Sequence, residues 1–357
     1  MRLKYAWLAI LSLLITAQGI SAIALRFGFG DKYAVGTALD RALKSNDTTV
    51  LFLGTSRIKY ALDPALFDTA MKATGFHTVS YNLGVPAVSF AEMEYQLHEY
   101  FARRQCCVKY VFIESDIVEE ASLREPNTVR SILFFDVSNA FNSFTYILHE
   151  KEKPPPPISN WTYAKYILTA LFRHYTNAGL FQSFIADTHD NFRAQVEQNG
   201  YISVAAARGR LSDTLDADAS LRQYYDEMLA ELSASKSTKH ISDGQFARFL
   251  DLMDFIKSKG AEPIVLRSSQ FVLALPSASL VERIRVSCFD ALPVFDFGRP
   301  ADNKELFDPR NRLNYDHLAV NAAERFTLMV ADRFATLLDA RKGAASAQIS
   351  CPSRETK

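Results

Sequence analysis

The chain lacks an excess of charge of either sign. Lys plus Arg and Asp plus Glu number 40 each, so the formal net charge at pH 7 is zero. Such a balance sets up no global field for nucleic acid or anionic lipid, and nucleic-acid binding is not implied; only a local patch could attract either. Cysteine is scarce as well. Cys106, Cys107, Cys288 and Cys351 show no CxxC and no other metal-ligand spacing, which argues against a zinc site, and neither a metal nor a cofactor is implied. In an oxidising compartment one disulfide is open to them, Cys106 or Cys107 with Cys288, since each precedes an expected strand at the same end of a sheet; free buried thiols are the alternative. No internal repeat is visible.

What is present suits a globular protein. With 357 residues, 48% hydrophobic and 22% charged, the chain can form one large α/β domain or two modest ones, and it is not disordered. Charge is missing altogether from residues 6–25 (AWLAILSLLITAQGISAIAL), which follow Arg2 and Lys4. A helical run of about twenty apolar residues is long enough to cross a hydrocarbon core. The basic flank stays cytoplasmic by the positive-inside tendency and directs everything after Arg26 to the far side. Ala22-Ile23-Ala24 also fits a small-x-small cleavage site, so a signal anchor and a removed signal peptide both stand for residues 1–30.

Hydrophobic patterning orders the rest. Thr48 to Thr55 (TTVLFLGT) is a nearly continuous apolar run, the pattern of a strand buried on both faces of a parallel sheet. Further strands are expected at Thr78–Leu83, Val108–Ser115, Pro263–Arg267 and Pro293–Phe297. Helical spacing of Phe90, Met93, Leu97 and Phe101 predicts a helix between the second and third strands. Ser242 to Gln245 reads as a capping box, Phe246, Phe249, Leu250, Met253 and Ile256 as an apolar stripe, and Gly260 as the stop of another helix. Ala322 to Leu338 forms the closing helix. Alternation of this kind predicts an α/β fold with a doubly wound parallel sheet of about five strands. Residues 120–240 break the rhythm and read as a mostly helical insertion, with Pro154–Pro157 as a hinge or surface linker; its aromatics suit packing, a substrate groove or a membrane surface. The tail 343–357 has no periodicity and reads as disordered.

Two short segments carry the chemistry. Leu53-Gly54-Thr55-Ser56-Arg57 ends the first strand, and Asn314-Tyr315-Asp316-His317-Leu318 precedes the closing helix. Active sites of open α/β sheets gather at the carboxyl ends of strands. A serine there, brought by folding to a histidine, has a base to take its proton during attack on a carbonyl. The other six histidines, His77, His98, His149, His174, His189 and His240, carry no motif.

The stretch LFLGTSRIKYALDP resembles the first block of the SGNH hydrolase superfamily, the GDSL esterases, with Thr55 in the aspartate position. This variant is similar to the membrane-anchored branch related to the DltD and alginate O-acetylation proteins. The resemblance covers roughly residues 45–120 and 240–340. It implies an SGNH/flavodoxin-like fold with Ser56 as nucleophile and its N–H as one oxyanion donor. Tyr81-Asn82-Leu83-Gly84 matches the second block and implies Gly84 as a second donor. The third block, ordinarily Gly-x-Asn-Asp, reads Ile113-Glu114-Ser115-Asp116, so its asparagine amide is missing and Ser115 or Asn82 stands in, or the hole has two backbone donors only. His317 matches the base and is followed by LAVNAAERF in the manner of the family. Three residues before it, the usual aspartate is Asn314; Asp316 is the other candidate for the third member and the one expected here, with Asp308 a weaker one. Arg57 and Asp116 are candidate substrate contacts, although a salt bridge at the helix start is the better account of Arg57 and a loop cap accounts for Asp116 equally well.

Together these residues imply an exported serine esterase or O-acyltransferase working on a cell-envelope glycan, anchored in the inner membrane with its domain in the periplasm or outside the cell, or secreted after cleavage near Ala24. A multi-span membrane O-acyltransferase as partner is implied by the resemblance alone. The rival expectation is a catalytically degenerate envelope protein that keeps the fold to bind glycan or assist assembly.

Overall fold

Short apolar runs rich in Val, Ile and Phe form the sheet because both faces of each strand are removed from water. In the computed structural model every side chain of β1 (Val50–Leu53) is buried. So are those of β2 (Ser80–Asn82), and nearly all of β3 (Tyr110–Glu114), β4 (Glu262–Arg267) and β5 (Val294–Asp296). The structure describes residues 5–9, 11–12, 15–16, 19, 35–86, 88–104, 107–115, 134–141, 159–176, 199–204, 210–234, 241–270, 276–287 and 292–343. Pro154–Pro157, Asp116, Ala22–Ala24 and the tail beyond 343 lie outside these.

All five strands are parallel, in the order β2-β1-β3-β4-β5. The chain runs outward from β1 to β2, then returns to place β3 on the other side of β1. The crevice between the carboxyl ends of β1 and β3 is therefore the topological switch point of the sheet. The register pairs Phe52 with Asn82 on one side and with Phe112 on the other.

Helices fill the connections. α1 is Val35–Ala42, α2 Ser56–Ala61, α3 Pro64–Ala73, α4 Phe90–Arg103, α5 Asn160–Thr176, α6 Leu211–Ala217, α7 Ala219–Ser233, α8 Asp243–Ser258, α9 Pro276–Ser287 and α10 Val320–Gly343. The expected cap of α8 is present: the Ser242 side chain accepts from Gln245 N–H while the Gln245 side chain accepts from Ser242 N–H. Its buried face is Phe246, Phe249, Leu252, Met253 and Ile256, with Leu252 in place of the expected Leu250. Gly260 ends the helix at φ +78°, a conformation that favours glycine. On one face of the sheet Phe52 meets Phe67 of α3 edge-on at 5.0 Å, and Phe112 meets Phe334 of α10 at 5.2 Å. Edge-to-face packing of this kind adds about 0.5–1.5 kcal/mol per pair beyond burial.

By compactness the chain falls into two units, one of Met1–Asp40, Ser89–Glu99 and Glu120–Ala194, the other of Arg41–Val88, Tyr100–Glu119 and Gln195–Lys357. The whole sheet belongs to the second. The expected insertion at 120–240 is thus divided: Leu211, Leu215, Tyr225 and Met228 are buried in one core with Phe307 and Phe326 of the sheet's own unit. In the first unit a smaller core joins Ala91, Phe134, Phe135, Ala140, Ile167 and Ala170.

Among the described residues no helix is long and apolar enough to cross a membrane. The expected span at 6–25 falls largely outside them, and the residues of it that are described are helical and exposed. Cys107 is disulfide-bonded, which removes it from the free thiols. Cys106, Cys288 and Cys351 lie outside the described residues, so its expected pairing with Cys288 does too.

Candidate active site

The chain leaves β1 through Gly54 and enters α2 at Ser56. A side chain at Gly54 would come within 2.7 Å of Glu114 Oε2, so only glycine fits between the turn and β3. Thr55 is the N-cap of α2, its hydroxyl accepting from the Arg57 N–H at 3.3 Å. Ser56 opens the helix, where its own N–H has no intrahelical acceptor.

Beneath this turn lies a charged network that sequence reading missed. Glu114, fully buried at the end of β3, accepts from Thr55 N–H at 2.6 Å, from Arg57 Nε at 2.7 Å and from the Ser268 hydroxyl at 3.1 Å. Arg57 also donates to the Gln270 side chain. A buried carboxylate is tolerated only when paired and hydrogen-bonded, and here the pairing ties the serine turn to the ends of β3 and β4. Arg57 thus makes the salt bridge weighed against a substrate role, while still lining a small depression beside His317 with Tyr60, Ser268, Ser269 and Asp316. The signal available in the sequence was a glutamate closing the apolar run VFIE.

His317 reaches Ser56 across 261 residues of sequence, its Nε2 2.8 Å from the Ser56 Oγ. Its Nδ1 lies 3.0 Å from Asn314 Oδ1. The same oxygen accepts the backbone N–H groups of Asp316 at 2.9 Å and His317 at 2.8 Å. These donors fix which end of the amide faces the ring, so Nδ1 carries the proton and Nε2 is left to accept the serine proton. Asn314, not the expected Asp316, therefore occupies the orienting position. Both side chains are exposed, and what separates them is the tight loop, which turns residue 314 back over its own chain so that its amide meets the ring. Asp308 is engaged by Arg310 in the 3-10 turn Pro309–Asn311.

Burial holds the His317 pKa below its ordinary value; the Asp316 carboxylate raises it, while Arg57 and Arg312 lower it further. The ring is neutral near pH 7 and able to act as a base. Its loop is held from below by Arg312, a fully buried residue absent from the sequence expectations. Arg312 donates from Nε to Asn314 O at 3.2 Å and from Nη2 to Tyr315 O at 2.6 Å and Ser269 O at 3.2 Å. Nη1 donates to Leu306 O at 2.6 Å. The Leu313 N–H bonded to His317 O at 2.9 Å closes the loop. No sequence pattern flags Arg312, since a single arginine in a polar loop ordinarily faces water.

The expected oxyanion donors divide. Asn82 is fully buried, and its Nδ2 donates to Ile58 O at 2.8 Å and Leu62 O at 2.7 Å, so its amide hydrogens hold the end of α2 instead of facing a substrate. Asn82 Oδ1 accepts the Gly84 N–H at 2.8 Å, which turns that donor away as well. Ser115 has a buried Oγ with no hydrogen-bond partner among the described residues. Of the expected donors this leaves the Ser56 N–H, at the first residue of α2, and Asp116 lies outside the described residues. Compared with protein-family models, with curated proteins and with solved structures, the chain matches none of them.

Proposed function

We propose that the protein is an exported SGNH-type serine esterase or O-acyltransferase that acts on a cell-envelope glycan through an acyl-serine intermediate. One observation carries the reading: the 2.8 Å contact of His317 Nε2 with Ser56 Oγ at the switch point of the sheet, with the far ring nitrogen held by Asn314. In this reading His317 takes the hydroxyl proton as Ser56 Oγ attacks the ester carbonyl. The tetrahedral intermediate collapses, the ester's C–O bond breaks, and the leaving alcohol takes the proton from His317. A sugar hydroxyl or water, deprotonated in turn by His317, then attacks the acyl-serine and frees Ser56. Asn314 keeps the tautomer but adds no negative charge to stabilise the imidazolium.

Export draws support from the uncharged run at 6–25 behind Arg2 and Lys4, from the exposure of its described apolar residues, and from the disulfide at Cys107, which suits an oxidising compartment. A membrane-bound O-acyltransferase as acyl donor follows from the resemblance alone. The mutual bond of Asn82 and Gly84 favours a second reading, a glycan-binding protein without turnover, because each missing oxyanion donor costs about 100- to 1000-fold in rate.

Trapping the intermediate tests the proposal. Incubation with an activated acetyl ester, acid quench and peptide mass spectrometry should find one acetyl group on the peptide that contains Ser56, none in Ser56→Ala, and faster loss of the group when acceptor sugar is added. An intact protein that binds glycan yet never acylates at Ser56 supports the second reading.

A further inference from the structure

Beside the edge strand β2, two cations and a buried hydroxyl stand together without a carboxylate. Lys59 of α2 is only 6% exposed, and its ammonium makes no hydrogen bond and no ion pair among the described residues. It is charged at neutral pH, because burial lowers its pKa only to about 8, and the one charge that adds to this shift is another cation, Arg41 of α1. Arg41 forms no ion pair among the described residues either. The same guanidinium acts on Tyr81 of β2, which is 2% exposed. The Tyr81 hydroxyl is buried with no hydrogen-bond partner among the described residues. Backbone packing holds α2 against β2: Asn82 Nδ2 donates to Ile58 O at 2.8 Å, and a side chain at Gly84 would come within 2.7 Å of the Lys59 backbone nitrogen.

A buried cation is ordinarily paired and a buried hydroxyl ordinarily bonded. Here a second cation stands where a carboxylate is the usual neighbour. All three groups donate: an ammonium, a planar guanidinium fork and a phenol. The complement of such a set is an oxyanion, whose oxygens accept. Two positive charges are neutralised fully by a dianion and only by half by a carboxylate, and the guanidinium fork matches two oxygens of a phosphate.

We infer that Arg41, Lys59 and the Tyr81 hydroxyl form a binding site for a phosphate-type dianion, either the free ion or a phosphate carried by a larger ligand. Lys59 and Tyr81 make the closed end, while Arg41 is half-buried and leaves its side open to solvent. Lys59 stands one turn beyond Ser56, about 4.5 Å along the axis of α2. None of the three groups takes part in the Ser56 and His317 chemistry, so the two assignments stand or fall separately.

Binding depends on the charge of Lys59. Of the groups around it, an arginine such as Arg41 keeps its charge. Burial raises the Tyr81 pKa to about 12 and that of its neighbour Tyr100 of α4 above the ordinary value, so Lys59 alone among them titrates between pH 7 and pH 9. Isothermal titration calorimetry of the full chain at constant ionic strength tests the site, with inorganic phosphate and with sulfate, which stays a dianion over this range. One saturable site is expected, its sulfate affinity falling about tenfold from pH 7 to pH 9 as Lys59 loses its proton. Lys59→Met should abolish binding, Arg41→Gln should weaken it by about tenfold or more, and Tyr81→Phe should weaken it several-fold. Glucose 1-phosphate bound as tightly as phosphate would place the group on a larger ligand, and its exclusion would assign the free ion. Absence of saturable binding at millimolar phosphate overturns the inference. So does an affinity unchanged in Lys59→Met and Arg41→Gln, or acetate bound as tightly as sulfate.

Discussion

Asn314 Oδ1 receives three N–H groups, the backbone N–H groups of Asp316 and His317 and the ring Nδ1–H of His317, and a carboxylate in the same place would receive the same three. Asn314→Asp should therefore preserve the loop and add a charge opposite the imidazolium. The gain expected is on the order of tenfold in rate, the difference between a neutral and a charge-assisted hydrogen bond. The sign of the pH effect follows. Turnover needs neutral His317, whose pKa lies below its ordinary value, so the acidic limb of the rate profile sits low in the wild type. Asn314→Asp raises that pKa and moves the limb to higher pH. Asp316→Asn removes a charge that raises it and moves the limb slightly lower, with the plateau nearly unchanged. Profiles of ester turnover against pH for both variants check this; collapse of the plateau in Asp316→Asn would restore Asp316 to the orienting role. Ser56 and His317 were legible in the sequence because both stand at element boundaries. The choice between Asn314 and Asp316 was not, since it depends on how tightly the loop turns over Arg312.

Helix α2 carries Ser56, the proposed nucleophile, together with a buried lysine. Lys59 is 6% exposed, and burial, with the Arg41 charge adding to it, lowers its pKa from 10.5 to about 8. A lysine with a lowered folded-state pKa opposes folding wherever it is charged in both states. That penalty is complete below pH 8 and disappears as pH rises toward 10.5, because between these values the unfolded chain holds the proton that the folded chain has released. Lys59→Met should then stabilise the protein at pH 7 by up to roughly 3 kcal/mol, and by little near pH 10.5. Urea unfolding of both proteins at the two pH values measures this; an equal effect at both would mean that packing, not charge, sets the difference. The strands and the caps of α8 were readable because apolar runs and Ser-x-x-Gln spacing are local. The grip of Asn82 on Ile58 O and Leu62 O was not, because an asparagine closing a strand reads as a turn or a donor to substrate until β2 is seen beside α2.

At the scale of the molecule, parallel pairing and right-handed crossovers leave few ways to arrange five alternating strands, which is why the doubly wound sheet followed from the order of elements. The division into two units did not. Leu211, Leu215, Tyr225 and Met228 join the sheet's core by contacts far away in sequence, and helical periodicity alone does not say which core a helix faces. The consequence for function is that β1, β3, β4 and the loop before α10 all meet within one unit, so Ser56, Glu114, Arg312 and His317 form a single preorganised assembly. The most direct test is covalent labelling with a serine-directed fluorophosphonate. The account predicts stoichiometric reaction at Ser56 in the wild type, none in Ser56→Ala, and loss of at least about a hundredfold in rate in His317→Ala with the fold retained. Equal labelling of all three proteins, or none of the wild type, would contradict it.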